Sequence, residues 1–99
     1  MSVLKWIEQW YFDQCDGDWE HRKGIEIHTL DNPGWYVTIN LLGTNLEEKS
    51  MEKVEIERND NDWLHCWIKD NSDEYEFHAA GGAKNLEEIL NFFKDWALN

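Results

Sequence analysis

Apolar side chains recur every three or four positions at both ends of the chain, a spacing typical of amphipathic helices. Near the N-terminus this spacing predicts a helix over residues 2–13, with Ser2 as the N-cap and Trp10 on the apolar face. Near the C-terminus it predicts a helix that follows Asn85 as the N-cap and carries Trp96 in its apolar stripe. We expect both tryptophans to be buried against a sheet formed by the residues between the helices.

Between the helices, apolar and polar residues alternate in five short runs, the pattern of strands with one buried face. The runs read GIEIHTL, WYVTINLL, EKVEIER, DWLHCWIKD and EYEFHAA, and they begin at residues 24, 35, 52, 62 and 74. This order of elements predicts an α+β fold in one domain, residues 1–99. Its antiparallel, meander-like sheet of about five strands would carry the N-terminal and C-terminal helices packed on it.

A tight turn is predicted between the first two strands by the segment TLDNPGW. Asp31 and Pro33 are common turn residues, because the proline ring already holds the φ angle that the bend requires. Gly34 is free to adopt a positive φ, and Trp35 begins the second strand. The two strands should therefore form a hairpin.

The chain is strongly acidic and rich in aromatic residues. It contains 21 Asp and Glu against 9 Lys and Arg, a formal net charge of −12, and seven Trp. Such a surface repels nucleic acid and anionic membranes and attracts a basic protein partner, although acidity also promotes solubility. Because no segment has the pattern of a secretory signal or of a membrane span, we expect a cytoplasmic protein whose two cysteines remain thiols.

A compact polar segment, CDGDWEH, follows the first helix. It consists of Cys15, Asp16, Gly17, Asp18, Trp19, Glu20 and His21. These residue types allow a zinc site, a catalytic thiol at Cys15, or a structural turn. Zinc needs about four ligands, so Cys66 and His65 would have to join, yet neighbouring strand residues point to opposite faces. The adjacent carboxylates would raise the thiol pKa and suppress the reactive thiolate.

We therefore favour the structural turn for this segment. In such a turn the carboxylates of Asp16 and Asp18 accept hydrogen bonds from backbone N–H groups around Gly17. We also expect Trp19 to be buried and His21 to be held by a carboxylate or a carbonyl. Exposed acids of the same segment form one candidate surface for a partner: Asp16, Asp18 and Glu20.

A second candidate surface lies on the sheet. If the last three strands pair as a meander, alternate positions place an aromatic row between two acidic rows on one face. The row members are Glu55 and Glu57, then Trp63, His65 and Trp67, then Glu74 and Glu76. We expect the acids to be exposed and the face to bind a partner, because tryptophan is enriched at interface hot spots. Two alternatives remain open: a helix covers this face, or Leu64 and Ile68 face outward instead.

Five segments spread along nearly the whole chain carry a family resemblance. They are WIEQWY, CDGDWEH followed by GI, TLDNPGW, DWLHC and NLEEILNFFKDW. Together they resemble the immunity protein 53 family of bacterial polymorphic toxin systems. The resemblance implies a small cytoplasmic protein that binds a cognate toxin and blocks it, and it carries over no catalytic residues. An acidic inhibitor suits a basic toxin such as a nuclease. We expect no enzymatic activity, cofactor or metal; the alternative is a small cysteine-dependent or metal-assisted enzyme using residues 15–21.

Overall fold

A computed structural model describes residues 2–99 and contains two α-helices, one short 3₁₀ helix (Trp19–His21) and five strands, the predicted α+β fold. Helix α1 spans Val3–Gln14 and helix α2 spans Leu86–Leu98. The strands are β1 (Ile25–Leu30), β2 (Gly34–Asn40), β3 (Val54–Asn59), β4 (Asp62–Asp70) and β5 (Tyr75–Gly81). The predicted elements are all present, with small shifts at their ends. Within residues 2–99, neither helix is long and apolar enough to cross a membrane.

The five strands form one sheet in the order β1-β2-β5-β4-β3, and every neighbouring pair is antiparallel. Strands β3, β4 and β5 are a meander, as predicted. The β1–β2 hairpin joins it through β2, which pairs with β5 so that Val37 lies opposite Ala79. The chain between β2 and β3 therefore crosses from the middle of the sheet to its far edge, which makes β5 a central strand.

Both helices pack on the same face of the sheet. Phe93 of α2 lies between Trp10 of α1 and Phe77 of β5, with ring centroids 5.2 and 5.0 Å apart. The sheet contributes fully buried side chains to this core from alternate positions of its three central strands: Val37, Ile39, Leu64, Cys66, Phe77 and Ala79. Burial of this apolar surface is the main force that holds the layers together. No element of residues 2–99 packs as a second layer on the opposite face.

The two helix-capping predictions have different outcomes. The Ser2 side chain accepts a hydrogen bond from the backbone N–H of Lys5 at 3.2 Å, which confirms it as the N-cap of α1. Asn85 makes no capping bond. Its side chain instead accepts from the backbone N–H of Trp63 at 3.4 Å and donates to Asp62 at 2.9 Å. Asn85 is buried and fastens the start of α2 to the start of β4.

The predicted turn at residues 31–33 is present, but the role expected for Gly34 is wrong. Gly34 is the first residue of β2 and is not among the residues with positive φ. A Cβ atom at this position would collide with the backbone carbonyl of Gly81 on the neighbouring strand. The glycine is therefore required by the close approach of β2 to β5. Trp35, the next residue, donates its indole N–H to the carbonyl of Ala83 at 2.9 Å.

The burial predicted for two helix tryptophans is confirmed for Trp10 and only in part for Trp96. Trp10 is a core residue. Trp96 is half-buried, and its indole N–H donates to the carbonyl of Ser50 at 2.9 Å. The ammonium group of Lys49 lies 5.5 Å from the centre of the Trp96 ring. Trp96 therefore packs beside the connection between β2 and β3, which its indole helps to anchor.

Candidate functional site

The sheet face opposite the helices, here called the open face, carries the predicted aromatic row. Trp63, His65 and Trp67 of β4 share this face with Glu55 and Glu57 of β3, because Glu55 pairs with His65 and Glu57 with Trp63. The alternative in which Leu64 faces outward is wrong, since Leu64 is fully buried in the core. The alternative in which a helix covers the row is wrong as well, because both helices lie on the other face.

Aromatic side chains extend the row across the neighbouring strands. Trp67 stacks on His78 of β5, with ring centroids 5.7 Å apart and an interplanar angle of 23°. Tyr36 of β2 meets Trp67 edge to face at 6.1 Å and stacks with His28 of β1 at 5.4 Å. Sequence reasoning missed Tyr36, His28 and His78. For Tyr36 and His28 the reason is that only the strand order β1-β2-β5-β4 shows that β2, and β1 beyond it, lie on the far side of β5 from β4. The result is one continuous aromatic surface from β1 to β4.

A chain of polar contacts runs from two rings of this aromatic surface to a buried carboxylate. The Tyr36 hydroxyl is 2.7 Å from Nδ1 of His78, and Nε2 of His78 is 2.8 Å from a carboxylate oxygen of Glu76. The Lys23 ammonium is 3.2 Å from the other oxygen of Glu76. The Glu76 side chain is only 3% exposed, so the prediction that it belongs to an exposed acidic row is wrong. These bonds fix the ring of His78 and, through the stacked pair, the position of Trp67.

Glu74, predicted to be exposed, is half-buried and held by two lysines. Its carboxylate lies 3.1 Å from the ammonium groups of both Lys23 and Lys69, and the amide of Asn71 donates to it at 2.9 Å. These contacts, the Asn71 hydrogen bond first, lower the pKa of Glu74 to about 2. The charge of Glu74 is therefore neutralised within the protein and is not free for a partner.

Replacing Glu74 with glutamine should remove a pH-dependent part of the stability. The folded-state pKa lies below the usual value of 4.5. Its stabilisation is therefore complete above that value and is lost as pH falls towards 2. Chemical denaturation should show Glu74→Gln less stable than wild type at neutral pH, with the difference shrinking through this acid window. The matched control is Glu26→Gln, since Glu26 is exposed and has no ion pair within residues 2–99. A difference that is constant with pH would contradict the prediction.

The exposed acids of the open face lie along one edge, on β3. The side chains of Glu55 and Glu57 are 59% and 74% exposed. Glu55 has Lys53 at 3.8 Å, and Glu57 has His65 at 3.6 Å. Of the two predicted acidic rows, only the row on β3 therefore presents largely exposed carboxylates to solvent.

The segment at residues 15–21 is a hydrogen-bonded turn, as favoured from the sequence. The Asp16 carboxylate accepts from the backbone N–H groups of Asp18 at 2.9 Å and Trp19 at 3.0 Å. These two bonds, that of Trp19 first, lower the pKa of Asp16. Gly17 has a φ of +92°, which glycine adopts without strain. Glu20 reaches back to the N–H groups of Asp16 and Gly17 at 2.9 and 2.8 Å, a contact that sequence reasoning missed.

Other predictions for this segment have mixed outcomes. Trp19 is buried, as expected, and donates its indole N–H to the carbonyl of Asn40 at 3.2 Å. Asp18 was expected to bond the backbone, but its carboxylate pairs with Arg22 at 2.9 Å instead. His21 was expected to be held, but it is exposed and has a carboxylate no closer than 4.0 Å. The segment links α1 to the sheet, and its acids are largely engaged internally.

The groups that a catalytic or zinc site would need are dispersed. Cys15 donates its thiol to the carbonyl of Tyr11 at 3.3 Å. Cys66 is in the core, where burial raises the pKa of its thiol to about 12. His65, its neighbour on β4, points to the open face. Across residues 2–99, no three His, Cys, Asp or Glu side chains are grouped to hold a metal ion.

The sequence matches one known protein family over nearly its whole length. The sequence model of the family described as Immunity protein 53 matches residues 4–98. The chain belongs to the immunity protein 53 family. The match includes both helices, the sheet and the turn at residues 15–21, so the open face lies within the family's domain. Membership suggests that the protein neutralises a toxin. Neither the curated proteins nor the solved structures contain a significant match to the chain.

Proposed function

We propose that this protein binds and neutralises a cognate protein toxin through the open face of its sheet. The observation that carries the proposal is the continuous aromatic surface of this face, from His28 to Trp67, which no helix of residues 2–99 covers. Tryptophan and tyrosine are over-represented among the residues that dominate binding energy at protein interfaces. A sheet face that bears such residues without a covering layer is suited to contact a partner.

The rigidity of the open face supports the same proposal. Stacking holds the ring of Trp67 against His78. Hydrogen bonds that run from Tyr36 through His78 to Glu76 hold the other two rings. Ordering side chains at an interface costs about 0.5 to 1.5 kcal/mol for each flexible residue. A surface that is already ordered in the free protein avoids much of this cost. Binding then acts by occlusion, without turnover or a cofactor.

Charge indicates the class of toxin. With a net charge of −12 the protein attracts a basic toxin, and nucleases are basic because they hold a phosphate backbone. Glu55 and Glu57 lie at the edge of the open face, where their charge can meet arginine and lysine of the toxin. The same charge disfavours nucleic acid and anionic membranes as partners. We place this interaction in the cytoplasm.

The acids of the turn at residues 15–21 are the weaker candidate surface. Asp16 and Glu20 accept backbone hydrogen bonds within the turn, and Asp18 is paired with Arg22. A partner would have to replace these contacts to use the carboxylates. The proposal therefore assigns the main contact to the open face and leaves the turn a structural role.

Binding kinetics should test the proposal, with the toxin encoded by the gene next to that of this protein, here called the adjacent toxin, as the partner. We expect a complex whose association rate falls as ionic strength rises, because steering between opposite charges is screened by salt. Reversing the charge of both acids at the edge of the open face, Glu55→Lys with Glu57→Lys, should slow association roughly tenfold at low salt. The control is Glu87→Lys with Asp95→Lys, which makes the same change in net charge on exposed positions of α2. It should slow association less.

Two results would count against this proposal in different ways. If the wild-type protein forms no complex with the adjacent toxin, toxin neutralisation by binding is wrong. If a complex forms but its association rate changes neither with salt concentration nor in the two charge-reversal variants, the mechanism that requires a basic toxin is wrong. The binding function then stands.

A further inference from the structure

A hollow lies on the open face beside the turn between β3 and β4. Its volume is about 640 Å³, and its walls include Glu57, Asp60, Trp63 and His65. Ala80 of β5 lies directly opposite His65 in the sheet register and lines the hollow. A methyl group between larger side chains leaves a depression, which we call the hairpin hollow.

The hairpin hollow has unpaired negative charge. Its one cationic wall residue, Arg58, is already neutralised, because its guanidinium lies 2.8 Å from Asp62 and 2.7 Å from Glu88. Glu57 and Asp60 are exposed, and neither has a lysine or arginine partner within residues 2–99. A cation that entered the hollow would therefore meet two carboxylates that no lysine or arginine already binds.

The aromatic wall of the hairpin hollow offers a second kind of contact. Trp63 and His65 meet edge to face with ring centroids 5.5 Å apart, and both are half-buried. Nε2 of His65 is shielded from solvent, lacks a hydrogen-bond partner within residues 2–99, and lies 3.6 Å from a carboxylate oxygen of Glu57. Because the Glu57 side chain is largely exposed, its rotation would open this nitrogen to an entering N–H donor.

We propose that the hairpin hollow receives an arginine side chain of the toxin. A guanidinium is planar, stacks on indole faces, carries several N–H donors for carboxylates and is less strongly hydrated than an ammonium group. The hollow provides the complementary groups: an indole, an imidazole and two free carboxylates. An apolar side chain would leave those carboxylates desolvated and unpaired, and a phosphate would be repelled by them. This inference rests on the proposed function, and it identifies one toxin side chain that the open face would bind.

A toxin-independent titration tests the hollow itself. N-acetylarginine amide, added to the ¹⁵N-labelled protein, should give saturable NMR shifts of the Trp63 indole and of the backbone amides of residues 57–65. N-acetylcitrulline amide, the neutral analogue of nearly the same shape, should not. The shifts should disappear in Glu57→Gln with Asp60→Asn. If no saturable shift occurs, or if citrulline gives the same shifts, the assignment to a guanidinium is overturned.

Binding of the adjacent toxin tests whether the hollow is used. Glu57→Gln with Asp60→Asn should speed dissociation by about tenfold or more, because truncating one partner of a buried charge pair acts on the dissociation rate. Glu87→Gln with Asp95→Asn is the matched control: it removes the same two charges from exposed positions of α2, away from the open face and the hollow, so dissociation should change less than about twofold. Equal effects of the two changes would overturn the inference while toxin binding stands. If the wild type binds no toxin, the proposed function fails, and the arginine titration still decides the chemistry of the hollow.

Discussion

Replacing Trp10 with alanine is expected to lower the free energy of unfolding by about 3 to 5 kcal/mol, the range for large aromatic truncations in protein cores. The side chain is 6% exposed and joins the two helices to the turn at residues 15–21. Its ring meets Phe93 of α2 at 5.2 Å and Trp19 at 5.8 Å, in both cases edge to face. Since domains of this size are stable by only about 5 to 15 kcal/mol, the variant should lose a large fraction of its free energy of unfolding.

The indole nitrogen of Trp10 provides a sharper version of this experiment. It is buried and has no hydrogen-bond partner within residues 2–99. Trp10→Phe removes this unpaired donor and retains a ring, so it should cost much less than Trp10→Ala. Phe12→Ala is the control on the same helix, because Phe12 is 71% exposed and its loss should change stability by no more than about 0.5 kcal/mol. Urea denaturation of the three variants measures these differences. Equal stability of Trp10→Ala and wild type would refute the assigned core.

Replacing Trp67 with alanine is expected to weaken toxin binding by about 2 kcal/mol or more, the cost at an interface hot spot, with most of the change in dissociation rate. Trp67 lies near the middle of the open face, stacked on His78 and in edge contact with Tyr36. Truncation would remove a pre-positioned aromatic surface and leave the helix-side core intact. Loss of unfolding free energy should therefore be smaller for Trp67→Ala than for Trp10→Ala.

A control must separate loss of contact from loss of fold. Phe12→Ala also removes an aromatic side chain, but an exposed one on the helix side of the protein. Its dissociation rate from the toxin should equal that of the wild type. Surface plasmon resonance with both variants, after their folding is checked by circular dichroism, makes the comparison. If Trp67→Ala dissociates as slowly as Phe12→Ala, the open face is not the main contact surface.

Local patterns in the sequence determined where the helices and strands of this protein lie and which residues of each strand share a face. Strand side chains alternate with a period of two, so Trp63 and Trp67 had to share a face opposite Leu64. The turn at residues 15–21 was predictable for the same reason of locality: the Asp16 carboxylate bonds N–H groups two and three residues away. Helix positions followed from the spacing of apolar residues, which requires no knowledge of the partner surface.

Which strand face stays free, and which acids on it stay charged and exposed, was decided only by the tertiary structure. Glu57 and Glu76 occupy equivalent alternate positions in their strands, yet Glu57 is exposed and Glu76 is buried. The cause is strand order: β3 is an edge strand, whereas β5 is central and places Glu76 between Asn40 of β2 and Lys69 of β4. Strand order likewise brought Gly81 against Gly34 and Tyr36 towards Trp67. Alternation along one strand cannot reveal its neighbours, because pairing depends on where the connection between β2 and β3 carries the chain.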